Sequence, residues 1–177
     1  ETVLPFEDFD TLATSQFDAF IEKLVEGKDV RIAFLGDSFV EGDIFTIDMR
    51  NEMQQLFGGR GVGFVPCDIP FTTVRRSIKR ESSGWSTYSV MKHKSVPEPL
   101  CNEFFISGYI SEGGAGATTR WETTSNYSML DSCGRARILL ASRDTSHIEV
   151  MVNDSLKRTF EVVNNGRLGE IYVEAPV

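Results

Sequence analysis

The sequence predicts a mixed α+β fold, in which a partial α/β unit of helix, strand and helix is followed by an antiparallel, jelly-roll-like β-sandwich. Three observations predict it. Within the first 60 residues, apolar side chains recur at helical spacing on both sides of one short apolar run. Beyond residue 68 the apolar period shortens to that of strands, with turn residues between the segments. Charge changes at the same place: residues 1–70 carry 14 acidic and 5 basic side chains, residues 71–177 carry 12 and 13. The boundary is placed at 67/68, giving segments 1–67 and 68–177.

Taken in order, Thr14-Ser15 precede Phe17, Phe20, Ile21, Leu24 and Val25, whose spacing predicts an amphipathic helix that Gly27 ends. The run Val30–Leu35, broken only by Arg31, is too short for a helix and reads as a buried strand of the parallel-sheet kind. Asp43 is suited to cap a second helix carrying Ile44, Ile47, Met53, Leu56 and Phe57 up to Gly58-Gly59. Strands are expected at 104–110, 117–124, 137–141, 147–152, 158–163 and 170–175. Gly113-Gly114, 131–134, Asn153-Asp154 and 164–166 mark the turns between them.

Composition excludes several classes. The longest apolar runs, such as Ile138-Leu139-Leu140-Ala141, fall far short of the ~20 residues that a membrane helix needs. A net charge of −8 and a pI near 4.8 argue against nucleic-acid or anionic-membrane partners. Cys67, Cys101 and Cys133 are odd in number and lack a C-x-x-C pair, which excludes a fully paired framework and a standard zinc site. A Cys101–Cys133 bridge and three free thiols both remain open. The chain starts at Glu1 without a charged-then-apolar leader, as a processed or trimmed chain would.

Chemistry is concentrated in Phe34-Leu35-Gly36-Asp37-Ser38-Phe39, where the predicted strand runs into a turn and a helix. A serine there is expected to be exposed at the carboxyl edge of the strand. Gly36 would permit a sharp turn, and free amides of that turn would stabilise an oxyanion. The competing reading is an Asp or Ser turn that only satisfies the backbone.

The stretch from Arg31 to Asp43, followed by a helix and by Phe57 to Pro66, resembles the first block of the SGNH, or GDSL, serine hydrolases. It is most similar to the bacterial cell-envelope branch that includes peptidoglycan O-acetylesterases. In that branch a β-sandwich resembling a carbohydrate-binding module is inserted soon after the first block, where residues 68–177 lie. The resemblance implies that Ser38 is the nucleophile and that its amide is one oxyanion donor. It implies that Asp37 supports the turn and is not the triad acid. Phe39 departs from the His of many relatives, and Glu41-Gly42-Asp43 matches only in part.

A serine nucleophile needs a base oriented by a third group. The resemblance implies an Asp-x-x-His for that purpose, and Asp144-Thr145-Ser146-His147 has its spacing. Arg143–Ser146 also reads as a hairpin turn between strands; on that alternative the match is accidental and the base lies beyond Val177. His93 reads as a solvated loop residue, and the glycines from Gly58 to Gly63 as a helix stop, not a phosphate cradle. Arg75-Arg76 and Lys79-Arg80 read as a solvated loop or a polyanion-facing cluster. Trp85, Tyr88, Trp121 and Tyr127 read as strand core or as a sugar-stacking platform.

The expected function is thus part of a serine esterase that removes acetyl groups from a cell-envelope glycan, periplasmic or secreted, using no metal or organic cofactor and inactive as this chain alone. The alternatives are a carbohydrate-binding sandwich without catalysis and a polysaccharide O-acetyltransferase. The partner is a glycan or small ester in each case.

Overall fold

The computed structural model describes residues 15–69, 75–104 and 107–174, a mixture of helices and antiparallel sheets. The chain divides into two compact units between Gly59 and Arg60. That lies upstream of 67/68, because Arg60 pairs with Asp131 at 3.2 Å and Cys67 bonds Thr119, tying residues 60–67 to the second unit. No helix among the described residues is long and apolar enough to cross a membrane.

In the first unit, α1 (Gln16–Val25) starts where the Ser15 hydroxyl accepts from the amides of Phe17 and Asp18 at 3.1 and 3.4 Å. It ends in a Schellman pair: Lys28 N–H donates to the Lys23 carbonyl and Gly27 N–H to that of Leu24, with Gly27 at φ +69°. Residues 30–35 are not a strand, and they are not buried. Leu35 is 92% exposed, and none of the described strands pairs with this run. An apolar run becomes a central strand only when neighbours satisfy its backbone on both sides, and the described sheets contain no such neighbours.

Ser38–Glu41 forms a single helical turn, α2, capped by Asp37, whose carboxylate accepts from Phe39 N–H at 3.0 Å. The third helix, α3 (Thr46–Phe57), begins two residues later than the sequence suggests, and Phe45 occupies the cap position without a side-chain bond. Asp43 is therefore not its N-cap. It sits buried at φ +58°, with its carboxylate accepting from the Thr46 hydroxyl and from Arg50 at 2.7 Å. Ile47, 2% exposed, anchors the helix, and Gly58 at φ +87° stops it.

The second unit opens with a long ribbon. β1 (Ile78–Ser89) pairs antiparallel with β2 (Tyr109–Thr123), from Ile78 opposite Thr123 to Ser89 opposite Tyr109. The sequence reading contains no strand at 78–89, because serine, threonine and charge occupy both faces and leave no apolar alternation. The strands expected at 104–110 and 117–124 are largely one element, β2; positions 105–106 lie outside the described residues. The glycines at 113–114 fall at an irregularity, where Ser83 faces Thr118 but Trp85 already faces Gly113. Trp85 lies across Gly113: a Cβ added there would be 2.6 Å from the indole. Its Nε1 donates to the Thr118 carbonyl at 2.9 Å. Gly113→Ala is therefore expected to cost about 1–3 kcal/mol by overpacking, and much less in a Trp85→Ala background. Urea unfolding of the four proteins measures this, and equal costs in the two backgrounds would show that the ring is not the obstacle. A small core of Val96, Leu100 and Ile110 packs with Tyr88, Cys101 and Phe104.

Two further ribbons follow. β3 (Arg135–Leu140) pairs antiparallel with β6 (Gly169–Glu174), and β4 (Ser146–Val152) with β5 (Leu156–Val162). Along β4, half-buried and exposed residues alternate strictly, as the sequence pattern requires. Its turn to β5 has Asn153 and Asp154 at φ 51° and 52°, the left-handed pair that a tight hairpin demands. The two ribbons share one core of Val162, Ile171 and Val173, filled out by Ile138, Ile148 and Phe160. Residues 143–146 are not a hairpin turn. Residues 141–145 carry the chain from one ribbon to the other, since β3 and β4 belong to different pairs and Ser146 already opens β4.

Candidate functional site

Ser38 is the first residue of α2 and is exposed. Gly36 is required for space, not for a left-handed turn: a Cβ there would lie 2.5 Å from Cγ2 of Val40. The loop is closed by α2's own bonds. Val40 and Glu41 amides donate to the Asp37 carbonyl at 3.0 and 3.2 Å, and the Asp37 carboxylate holds the Phe39 amide. Among the described residues, this leaves the Ser38 N–H and Oγ without partners. A hydroxyl and an amide on one residue, both free and held by a rigid turn, can attack a carbonyl and receive part of the resulting charge.

Downstream the same loop doubles back, with Ile44 and Phe45 amides donating to the Phe39 carbonyl at 2.9 and 3.3 Å. Phe34 and Phe45 rings meet at 5.4 Å, and Phe39 and Phe45 are exposed. The Ser38 loop thus presents an aromatic rim. A groove of about 590 Å³ in this unit runs between the end of α1, residues 28–34 and α3, and Ser38 is not in its wall.

The other sequence candidates are engaged elsewhere. His147 is exposed on β4 opposite Glu161, with Nε2 3.4 Å from the carboxylate. Asp144 lies in the connection between ribbons, where its carbonyl accepts from the Ser142 hydroxyl. His93 Nε2 is 3.1 Å from the Cys101 carbonyl. The unit that carries Ser38 contains no histidine. Lys79 and Arg80 are strand residues, not loop: Lys79 faces Glu122 across the ribbon, while Arg80 donates to the Ile69 carbonyl at 2.6 Å. Arg75 grips the carbonyls of Val62 and Phe64. Arg75 and Arg80 thus bond carbonyls of their own chain, while Arg76 is exposed. Trp121 Nε1 donates to the Pro66 carbonyl at 3.3 Å, so both indole N–H groups are used internally. Cys67, Cys101 and Cys133 are free thiols, which removes the Cys101–Cys133 bridge. No cluster of metal-ligating side chains occurs among the described residues.

The sequence reading misses one polar centre. The Asp68 carboxylate accepts from the hydroxyls of Ser82 and Thr87. Burial pushes its carboxyl up, but the two hydroxyl bonds and the Arg80 charge outweigh this and hold it below the ordinary carboxylate range. Burial pushes the neighbouring Cys67 thiol up, despite its contact with Thr119. The serines and threonines crowded along β1, at 82, 83, 86, 87 and 89, are the signal that polar contacts form there.

Compared with family models, curated proteins and solved structures, the chain finds no match.

Proposed function

We propose that this chain is part of an SGNH-type serine esterase, that Ser38 is its nucleophile, and that its substrate is an acetyl ester of a cell-envelope glycan, in the periplasm or outside the cell. The supporting observation is the free hydroxyl and free amide of Ser38, held on a turn that Gly36 and Asp37 fix. On this reading the second unit is an inserted β-sandwich. The core shared by the β3–β6 and β4–β5 ribbons supports that assignment. Ser38 Oγ attacks the acetyl carbonyl, its proton passes to a base, the glycan oxygen leaves with a proton, and water releases acetate from the acyl-enzyme.

As the family resemblance implies, the base is assigned to an Asp-x-x-His outside these 177 residues; His93 lies 3.1 Å from the Cys101 carbonyl and His147 3.4 Å from the Glu161 carboxylate. The 177-residue chain alone is then expected to give no Ser38-dependent turnover. The test is a fluorophosphonate probe applied to the protein with its natural flanking sequence, followed by peptide mass spectrometry. Phosphonylation of Ser38 is expected, and a probe that leaves Ser38 unmodified overturns the assignment. The carbohydrate-binding alternative rests on the indole face of Trp121, 40% exposed, and predicts glycan binding that weakens in Trp121→Ala and ignores Ser38→Ala.

A further inference from the structure

Segment 66–69 lies along the β1–β2 ribbon in an unusual way. Its four consecutive carbonyls are all taken by side chains of the ribbon. Trp121 Nε1 donates to Pro66 at 3.3 Å, Thr119 Oγ1 to Cys67 at 3.2 Å, Ser111 Oγ to Asp68 at 3.0 Å and Arg80 to Ile69 at 2.6 Å. Among the described residues no backbone-to-backbone hydrogen bond holds it. A strand added to a sheet edge shares its ladder and register, whereas a segment held by side-chain tips can leave without disturbing either. The ribbon keeps its own ladder from Ile78–Thr123 to Ser89–Tyr109 in any case.

One residue dominates the attachment. Asp68 contributes both carboxylate oxygens, to Ser82 and Thr87, in addition to its carbonyl. Bonds to an ionised acceptor are the stronger ones, about twice the neutral kind. The irregularity opposite Gly84 is what allows this grip: it changes the parity of β1, so that Ser82 and Thr87, five apart, reach the same carboxylate. Beneath the segment, Cys67 Sγ lies 3.2 Å from the Thr119 hydroxyl.

We propose that segment 66–69 is a strap latched by the Asp68 carboxylate, and that its release uncovers the Cys67 thiol while the β1–β2 ribbon remains folded. The strap therefore gates a thiol. Closed, Cys67 is half-buried and its thiol is pushed up by that burial; open, the thiol regains ordinary solvation, with better access and a larger thiolate fraction at a given pH. Nothing in this depends on Ser38.

The test is alkylation by iodoacetamide at fixed pH, with the rates at Cys67, Cys101 and Cys133 resolved by peptide mass spectrometry. Asp68→Ala is expected to raise the Cys67 rate about tenfold, the loss of roughly one bond to a charged group, while Cys101 and Cys133 stay within about twofold. Should that variant fail to fold, the double variant Ser82→Ala, Thr87→Val removes the donors and leaves the carboxylate in place, and it is expected to act in the same direction. An unchanged Cys67 rate in the double variant overturns the latch, whatever Asp68→Ala does. So does a parallel rise at all three cysteines in both variants, which would report loss of the ribbon itself.

Discussion

Ser38→Ala, in the protein assayed with its natural flanking sequence, is expected to lower acetyl-ester turnover by at least ~10³-fold while leaving KM nearly unchanged. The size follows from chemistry: alanine has no atom to form the acyl-enzyme, and water held by the remaining groups is a far poorer nucleophile. The fold should be indifferent to the change. Ser38 is exposed, its hydroxyl has no partner among the described residues, and the helix cap is the Asp37 side chain. Thermal midpoints of parent and variant are therefore expected to coincide, so that lost turnover cannot be charged to unfolding. Asp37→Ala separates the roles further. It frees the Phe39 amide and removes a cap, costing about 1 kcal/mol of local stability, but leaves the nucleophile in place. Its turnover is expected to fall much less than that of Ser38→Ala. Parent-level hydrolysis by Ser38→Ala would end the esterase reading of this loop. Acetyl transfer to a glycan acceptor would depend on Ser38 equally, and only acceptor product separates it from hydrolysis.

The parts of the fold legible in the sequence are those with one buried side. The spacing from Phe17 to Val25 and the glycine after it mark α1, of which Leu24 is the buried residue, and the alternation from Ser146 to Val152 marks β4, which faces a core. β1 is illegible for the opposite reason: both faces of its ribbon are polar, and one is covered by a segment that bonds through carbonyls. Contacts such as Trp121 to Pro66 join residues 55 apart and leave no local signature. Residues 30–35 mislead because apolar character alone does not supply strand neighbours. The candidate site was legible as a tripeptide, Gly36-Asp37-Ser38. Its steric reason was not, since it depends on where the Val40 side chain falls.

Asp43 shows how a correct residue can be given the wrong task, and it carries the largest expected effect on stability. Its side chain is 7% exposed, and its one oxygen Oδ1 accepts from both the Thr46 hydroxyl and Arg50, whose side chain is 28% exposed. Asp43→Ala strands the partly buried guanidinium and places an alanine at φ +58°, so a loss of about 3 kcal/mol is expected from the first unit. Two further variants divide that loss. Asp43→Gly removes the carboxylate but tolerates the left-handed backbone, and should be less damaging than alanine by about 1 kcal/mol. Asp43→Asn keeps an acceptor oxygen and a residue type that accepts this conformation, and should cost only about 1 kcal/mol. Urea unfolding followed by helical circular dichroism measures the order Asn, Gly, Ala. Alanine and glycine variants of equal stability would show that the backbone is unstrained, and an alanine variant as stable as the parent would show that the Thr46 and Arg50 bonds contribute nothing. The effect should reach the candidate nucleophile, because the same turn returns Ile44 and Phe45 amides to the Phe39 carbonyl, one residue from Ser38. Combining Asp43→Ala with Arg50→Ala is expected to recover part of the loss, as removing both members of a partly buried pair leaves no stranded charge.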